Sequence, residues 1–178
     1  VGQGVNHITD TVDAVNLDQR GYISGVVTRT NGTLSGDLYV DCTGFRAELI
    51  GKALQVPYKS CRQVLLCDSA LAVQVPYDSP DAPIPSYTIS TAHEAGWTWD
   101  IGLHQRRGIG HVFSSDHMSD AQAEDILRNY IGRAANDLEL RKFRFDAGFR
   151  ETNWEKNCVA IGLSSGFFEP LEATGIIF

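Results

Sequence analysis

Long apolar runs are missing from this sequence. None approaches the ~18 residues a membrane-crossing helix needs, so no such helix is expected. The first residues, Val1-Gly2-Gln3-Gly4, lack the basic stretch and apolar run of a secretory leader. A basic excess is missing too. The formal net charge is −7, which argues against nucleic acid or an anionic membrane surface as a partner. Arg106-Arg107 reads as a solvated turn. Cysteine is scarce: Cys42, Cys61, Cys67 and Cys158 form no Cys-x-x-Cys pair and stand beside no His at ligand spacing. The expectation is therefore no metal site, no disulfide framework and a reducing cytoplasm. The single methionine is Met118, and a first residue other than Met suggests processing, truncation or an incomplete sequence. Repeats, low-complexity stretches and linkers are also missing. What remains is 43% hydrophobic and 21% charged over 178 residues, enough for one soluble domain with a real core.

The pattern along the chain gives more strand than helix. Val12 to Leu17 alternates, Asp18-Gln19-Arg20-Gly21 supplies a turn, and Tyr22 to Thr28 is rich in β-formers. Asn31-Gly32 is a strong hairpin signal, because both central residues of a type I′ turn need positive φ. The return strand is expected at Asp37–Cys42. Further strands are expected at Val64–Cys67 and Leu71–Val75, followed by a connection carrying Pro76, Pro80, Pro83 and Pro85. A second hairpin would join Gly96–Ile101 to Gly110–Ser115 through a turn at His104–Gly108. One helix is clear: Ser119 and Gln122 make a capping box, and Ala123, Ile126, Leu127, Tyr130, Ile131 and Ala134 share a helical face. Strands at Lys142–Phe145 and Cys158–Ile161 follow. Without strict βαβ alternation, the fold class is α+β, with a β-meander and an antiparallel sheet.

Three segments carry candidate chemistry. Tyr39-Val40-Asp41-Cys42-Thr43-Gly44-Phe45-Arg46 is a strand ending in a small-residue turn, where Gly44 lets the backbone approach a ligand; taken alone, a plain structural turn is the more ordinary reading. Trp97 and Trp99 fall on one face of a strand, either as core packing or as the wall of a cavity for a planar aromatic group. Asn157 to Ile176 runs from a strand through a glycine turn to Glu169-Pro170-Leu171-Glu172-Ala173-Thr174-Gly175. Backbone N–H groups near a helix start form an anion-binding concavity. Glu172 is either a favourable helix-end charge or a buried acid/base group.

Together, Trp-x-Trp-x-Ile, Glu-Pro-Leu-Glu-x-Thr-Gly, Leu66-Cys67-Asp68-Ser69-Ala70 and Arg106-Arg107-Gly108 resemble the flavin-dependent tryptophan halogenases over most of the chain. One departure is Gly102, where the family's tryptophan motif usually has proline, and it bears on subgroup and substrate. The resemblance implies a flavoprotein-monooxygenase-like FAD-binding fold, α/β in the full-length enzyme. Residues 1–178 would be a partial domain, lacking the N-terminal dinucleotide-binding Gly-x-Gly-x-x-Gly segment, the catalytic lysine and the C-terminal substrate region. It further implies reduced FAD (FADH2) delivered by a separate flavin reductase, O2, and chloride or bromide converted to hypohalous acid that reaches an indole or tryptophan-like small molecule. Carried over by residue, Glu172 is the catalytic glutamate, Thr174 and Gly175 bind halide, Trp97 and Trp99 lie near the isoalloxazine, and Asp41, Cys42, Thr43 and Gly44 contact FAD. The isolated fragment is expected to be inactive. Two rivals are a flavin-dependent hydroxylase of the same superfamily and a non-catalytic flavin-binding fragment.

Overall fold

A computed structural model of the chain describes residues 4–168. These residues divide into two compact units, one made of 4–59 with 148–167 and the other of 60–147 with Phe168. In chain order, the first unit opens with β1 (Val12–Leu17), β2 (Ile23–Thr28), β3 (Gly32–Leu34), β4 (Tyr39–Asp41) and β5 (Tyr58–Ser60, whose last residue is at the boundary). The second holds β6 (Ser69–Pro76), β7 (Ile89–His93), β8 (Gly96–Gly102), β9 (Arg106–Phe113), α1 (Asp120–Ile131) and β10 (Arg141–Arg144). The chain then returns to the first unit with β11 (Gly148–Arg150), β12 (Trp154–Glu155), β13 (Cys158–Ala160) and β14 (Gly166–Phe167). Several sheets and a single α-helix among the described residues agree with the α+β expectation.

In the first unit, β1, β2 and β3 form the expected antiparallel meander. The carboxylate of Asp18 ties the first turn by accepting from the backbone N–H of Arg20 and Tyr22. The second turn departs from expectation. Thr28 pairs with Gly32, and of the two expected centres only Gly32 has positive φ (+71°), so three residues connect the strands rather than a two-residue I′ turn. Asp10 holds this connection by accepting from the backbone and side chains of Thr30 and Asn31. The predicted return strand is also split. Gly32–Leu34 is the returning arm, while Tyr39–Asp41 leaves to pair in parallel with β13, Asp41 opposite Ala160. Ile23, Ala47, Leu49, Ile50, Val56, Cys158 and Ala160 form the core beside it.

The second unit is a five-stranded sheet in the order β10-β6-β9-β8-β7, antiparallel throughout. Helix α1 begins at the predicted capping box: the Ser119 side chain accepts from the Gln122 N–H, and the Gln122 side chain accepts from the Ser119 N–H. Its buried Ala123 and Leu127, flanked by Ile126, Tyr130 and Ile131, pack with Leu71, Val73 and Val75 of β6 and Ile109 and Phe113 of β9. Each such buried Val, Leu, Ile or Phe contributes about 1.5–3 kcal/mol, which is what holds a helix of this length to the sheet. The apolar run Val64–Cys67 is not a strand. Val64 lies in a turn and is 82% exposed, because no neighbouring strand offers those residues a ladder. Pro76 ends β6, Pro80, Pro83 and Pro85 lie in the connection that follows, and edge strand β7 was not expected. No helix among the described residues is long and apolar enough to cross a membrane.

Candidate functional site

The first unit gathers two turns around one carboxylate. Asp41 ends β4 with no exposed surface. One carboxylate oxygen accepts from the Thr43 N–H (2.9 Å) and hydroxyl (2.6 Å), the other from the N–H groups of Leu49 (3.0 Å) and Ile50 (2.8 Å). These bonds fold Cys42–Gly44 back into the π-helical turn Glu48–Ala53. The Asp41 carbonyl holds the second turn, accepting from the Ile161 N–H (3.0 Å) and the Ser164 hydroxyl. Burial, the largest influence on Asp41, opposes its ionisation, yet the four donors outweigh it and keep its pKa below the usual carboxylate value. Cys158 packs nearby, its thiol pushed up to about 11 by burial first and then by the Asp41 charge, so it stays protonated and unreactive.

What this core presents outward is backbone. Gly44 (φ +68°) and Gly162 (φ +67°) open the short 3-10 turns Gly44–Arg46 and Gly162–Ser164. At both glycines the space a Cβ would take is empty. Phe45 and Phe167 close the arrangement edge to face, 5.5 Å between centroids. Of the four predicted positions here, Cys42 is exposed and Gly44 faces open space, whereas Asp41 and the Thr43 hydroxyl are engaged within the chain, the latter also accepting from the Glu48 N–H. Two such turns offer a ligand a close approach to main chain that side chains elsewhere would block.

In the second unit, Trp97 and Trp99 do share a face of β8, and it is the face away from α1. Their neighbours Thr98 and Asp100 are buried on the helix side, and neither indole joins the core cluster among the described residues. The two rings sit 6.0 Å apart, tilted by 58°. Trp99 is opposite Gly110 in the register, and its ring lies where a Gly110 Cβ would be, 2.1 Å from that point. Both indoles are half-buried on that face, outside the core cluster beneath α1 among the described residues.

The helix side of the same strand carries a polar layer that sequence reasoning missed. The Thr98 hydroxyl bridges His93 Nε2 (2.8 Å) and His111 Nδ1 (3.2 Å), and His111 Nε2 meets the Met118 sulfur at 3.4 Å. Burial first, then the neighbouring His93, lowers the His111 pKa to about 4. Beside it, Asp100 receives both a bidentate Arg107 and the Tyr130 hydroxyl. Polar residues at alternate positions of β8 and β9 were the available signal. Gly162 and Ser164 were missed as well, though the Gly-Leu-Ser-Ser-Gly run was visible.

The predicted Glu172, Thr174 and Gly175 lie outside the described residues. Among the described residues no group of three or more His, Cys, Asp or Glu is arranged to hold a metal.

A family model described as tryptophan halogenase matches residues 1–178. The chain is 52% identical over 176 residues to tryptophan 6-halogenase SttH of Streptomyces toxytricini, covering 99% of this chain and 34% of that protein. Its solved structure superposes with a TM-score of 0.93 over 98% of this chain and 34% of that one. Identity is 51% to the 7-chloro-L-tryptophan 6-halogenase KtzR of Kutzneria, covering 100% and 34%. The solved structure of Tar14, a tryptophan C-6 flavin-dependent halogenase (chlorinase) from taromycin biosynthesis, shares 49% identity and a TM-score of 0.94, covering 98% and 35%. The chain spans about a third of the length of the curated relatives it matches.

Proposed function

As a member of the tryptophan halogenase family, this chain is, we propose, part of an FAD-dependent halogenase that chlorinates or brominates tryptophan or a related indole. The observation that carries the flavin reading is the pair of open glycine turns locked onto Asp41. A cradle of exposed main chain without Cβ atoms fits a large planar cofactor that needs close backbone approach. Cys42, Thr43 and Gly44 would hold FAD through their main chain, with Gly162 beside them, and Asp41 would position the turn from behind. Reduced FAD, when bound there, would give two electrons to O2, the oxidant, which would take two more from halide to yield hypohalous acid.

The remaining roles fall to residues of this chain. Trp97 and Trp99 wall the route of the electrophile and keep water from it. Thr174 and Gly175 bind halide, and Glu172 accepts a proton or steadies the cationic ring as halogen adds. In this reading residues 1–178 are a partial domain of a flavoprotein-monooxygenase-like enzyme, α/β when whole, served by a separate flavin reductase in the cytoplasm. The dinucleotide-binding segment, the catalytic lysine and the substrate region belong to other parts of it. Ring position 6 is the first to assay, since relatives at 49–52% identity carry that position in their names.

The test is Glu172→Gln in the full-length protein. Flavin binding and flavin oxidation should persist while halogenated product falls by roughly two orders of magnitude or more, the scale of losing a positioned acid/base group. Product formed at near the parent rate would remove the assignment.

A further inference from the structure

The segments that Asp41 ties together in the first unit are tied a second time, by a cation. Arg150, the last residue of β11, is half-buried. Its Nη1 donates to the Val56 carbonyl at 2.9 Å, just past the π-helical turn into which the Gly44 turn runs. Its Nε donates to the Ser164 carbonyl at 3.4 Å, and its backbone N–H to the Ser165 carbonyl at 2.7 Å, which holds the Gly162 turn. The Val56 N–H donates to the Ile50 carbonyl, and the Ile50 N–H donates to the Asp41 carboxylate. Asp41 and Arg150 thus hold the same two segments through separate bonds. The seat fits the fork closely. Arg150 Cζ lies over the Tyr58 ring at 5.1 Å, and at Gly51 a Cβ would stand 2.6 Å from Nη2.

The charge has no counterpart. The guanidinium donates only to carbonyls, and among the described residues Arg150 makes no ion pair. Glu48 of the π-helical turn and Glu151, its neighbour in sequence, pair with Lys52 and Lys59 instead. A half-buried cation satisfied by dipoles keeps a field that a carboxylate would cancel. Two-electron reduction of a flavin with uptake of one proton leaves its ring one negative charge richer near neutral pH. We propose, on the flavin reading of these turns, that Arg150 is a positioning residue of the cradle. It fixes the spacing of the two turns, and its unmatched charge makes them favour reduced over oxidised FAD.

The experiment is an anaerobic redox titration of FAD bound to the full-length protein, with the Kd of oxidised FAD measured by fluorescence. The potential of bound against free FAD gives the preference for the reduced state. Arg150→Met removes fork and charge, whereas Arg150→Lys keeps the charge without the fork. Arg150→Met should cut the preference for reduced FAD roughly tenfold, the scale of one partly screened charge. That lowers the bound potential by about 30 mV for a two-electron couple. Both variants should bind oxidised FAD more weakly, and Arg150→Lys should hold the parent's potential. Circular dichroism verifies that each is folded. If Arg150→Met fails to fold, Arg150→Gln, uncharged but able to donate to one carbonyl, takes its place with the same expectation. An uncharged variant with the parent's potential would make Arg150 a structural cap and overturn the proposal. So would Arg150→Lys with a potential as low as the uncharged variant's, or variants that bind oxidised FAD as tightly as the parent. A parent protein that binds no FAD would overturn the flavin reading itself, and the role of Arg150 with it.

Discussion

At the scale of single residues, Asp41 does the most with the least exposure. Its carboxylate gathers Thr43, Leu49 and Ile50 while its carbonyl gathers Ile161 and Ser164. Asp41→Asn puts an NH2 where only acceptors are wanted, leaving buried donors unmatched. The expected cost is about 3 kcal/mol, measurable by urea unfolding. The sequence made the Asp-x-Thr-Gly turn visible because strand, small residues and glycine are local signals. It did not reveal that Ser164 anchors the turn, since that bond joins residues 123 apart. The tryptophan pair is a second residue-scale matter. Trp97→Phe with Trp99→Phe in the full-length protein should leave flavin oxidation running and lower the halogenated product per flavin oxidised. Loss of the folded state instead would make the pair structural.

At the scale of elements, α1 was legible and the strand at Val64–Cys67 was not real, for related reasons. A capping box and an apolar stripe are written along one helix, whereas a strand exists only if another strand is there to receive its hydrogen bonds. The same dependence explains why β4 was assigned to a hairpin when its partner is the distant β13. Ser119→Ala should destabilise the second unit by roughly 1 kcal/mol, the usual worth of an N-cap, seen as a lower urea midpoint. The layer between α1 and the sheet adds a pH dependence. Well above pH 6.5, His111 is neutral in both the folded and unfolded chain and contributes no slope. As pH falls from the ordinary value of 6.5 towards about 4, the unfolded chain takes up a proton that folded His111 resists, so stability declines with falling pH. Thermal unfolding between pH 6.5 and 5 should show that decline, and His111→Gln should flatten it. An unchanged slope would place the proton elsewhere.

At the scale of the whole molecule, the second unit is an insertion within the first. Residues 60–147 leave and return at one place: the Cys61 N–H donates to the Ala147 carbonyl at 2.6 Å, and the Ser60 hydroxyl to the Asp146 carboxylate at 2.5 Å. A ribosome making this chain therefore completes the guest before the host. The inserted stretch has its whole five-stranded sheet and α1 once Arg144 has emerged, while β4 waits, its parallel edge unsatisfied, until Cys158–Ala160 appears. Residues 60–147 expressed alone should thus give a cooperative unfolding transition of their own, while 4–59 alone should not. A nascent chain stalled shortly after residue 147 should resist protease across the guest and be cut readily within the host. The pair of glycine turns held by Asp41, drawn from both sides of the guest, would form only after the guest is complete.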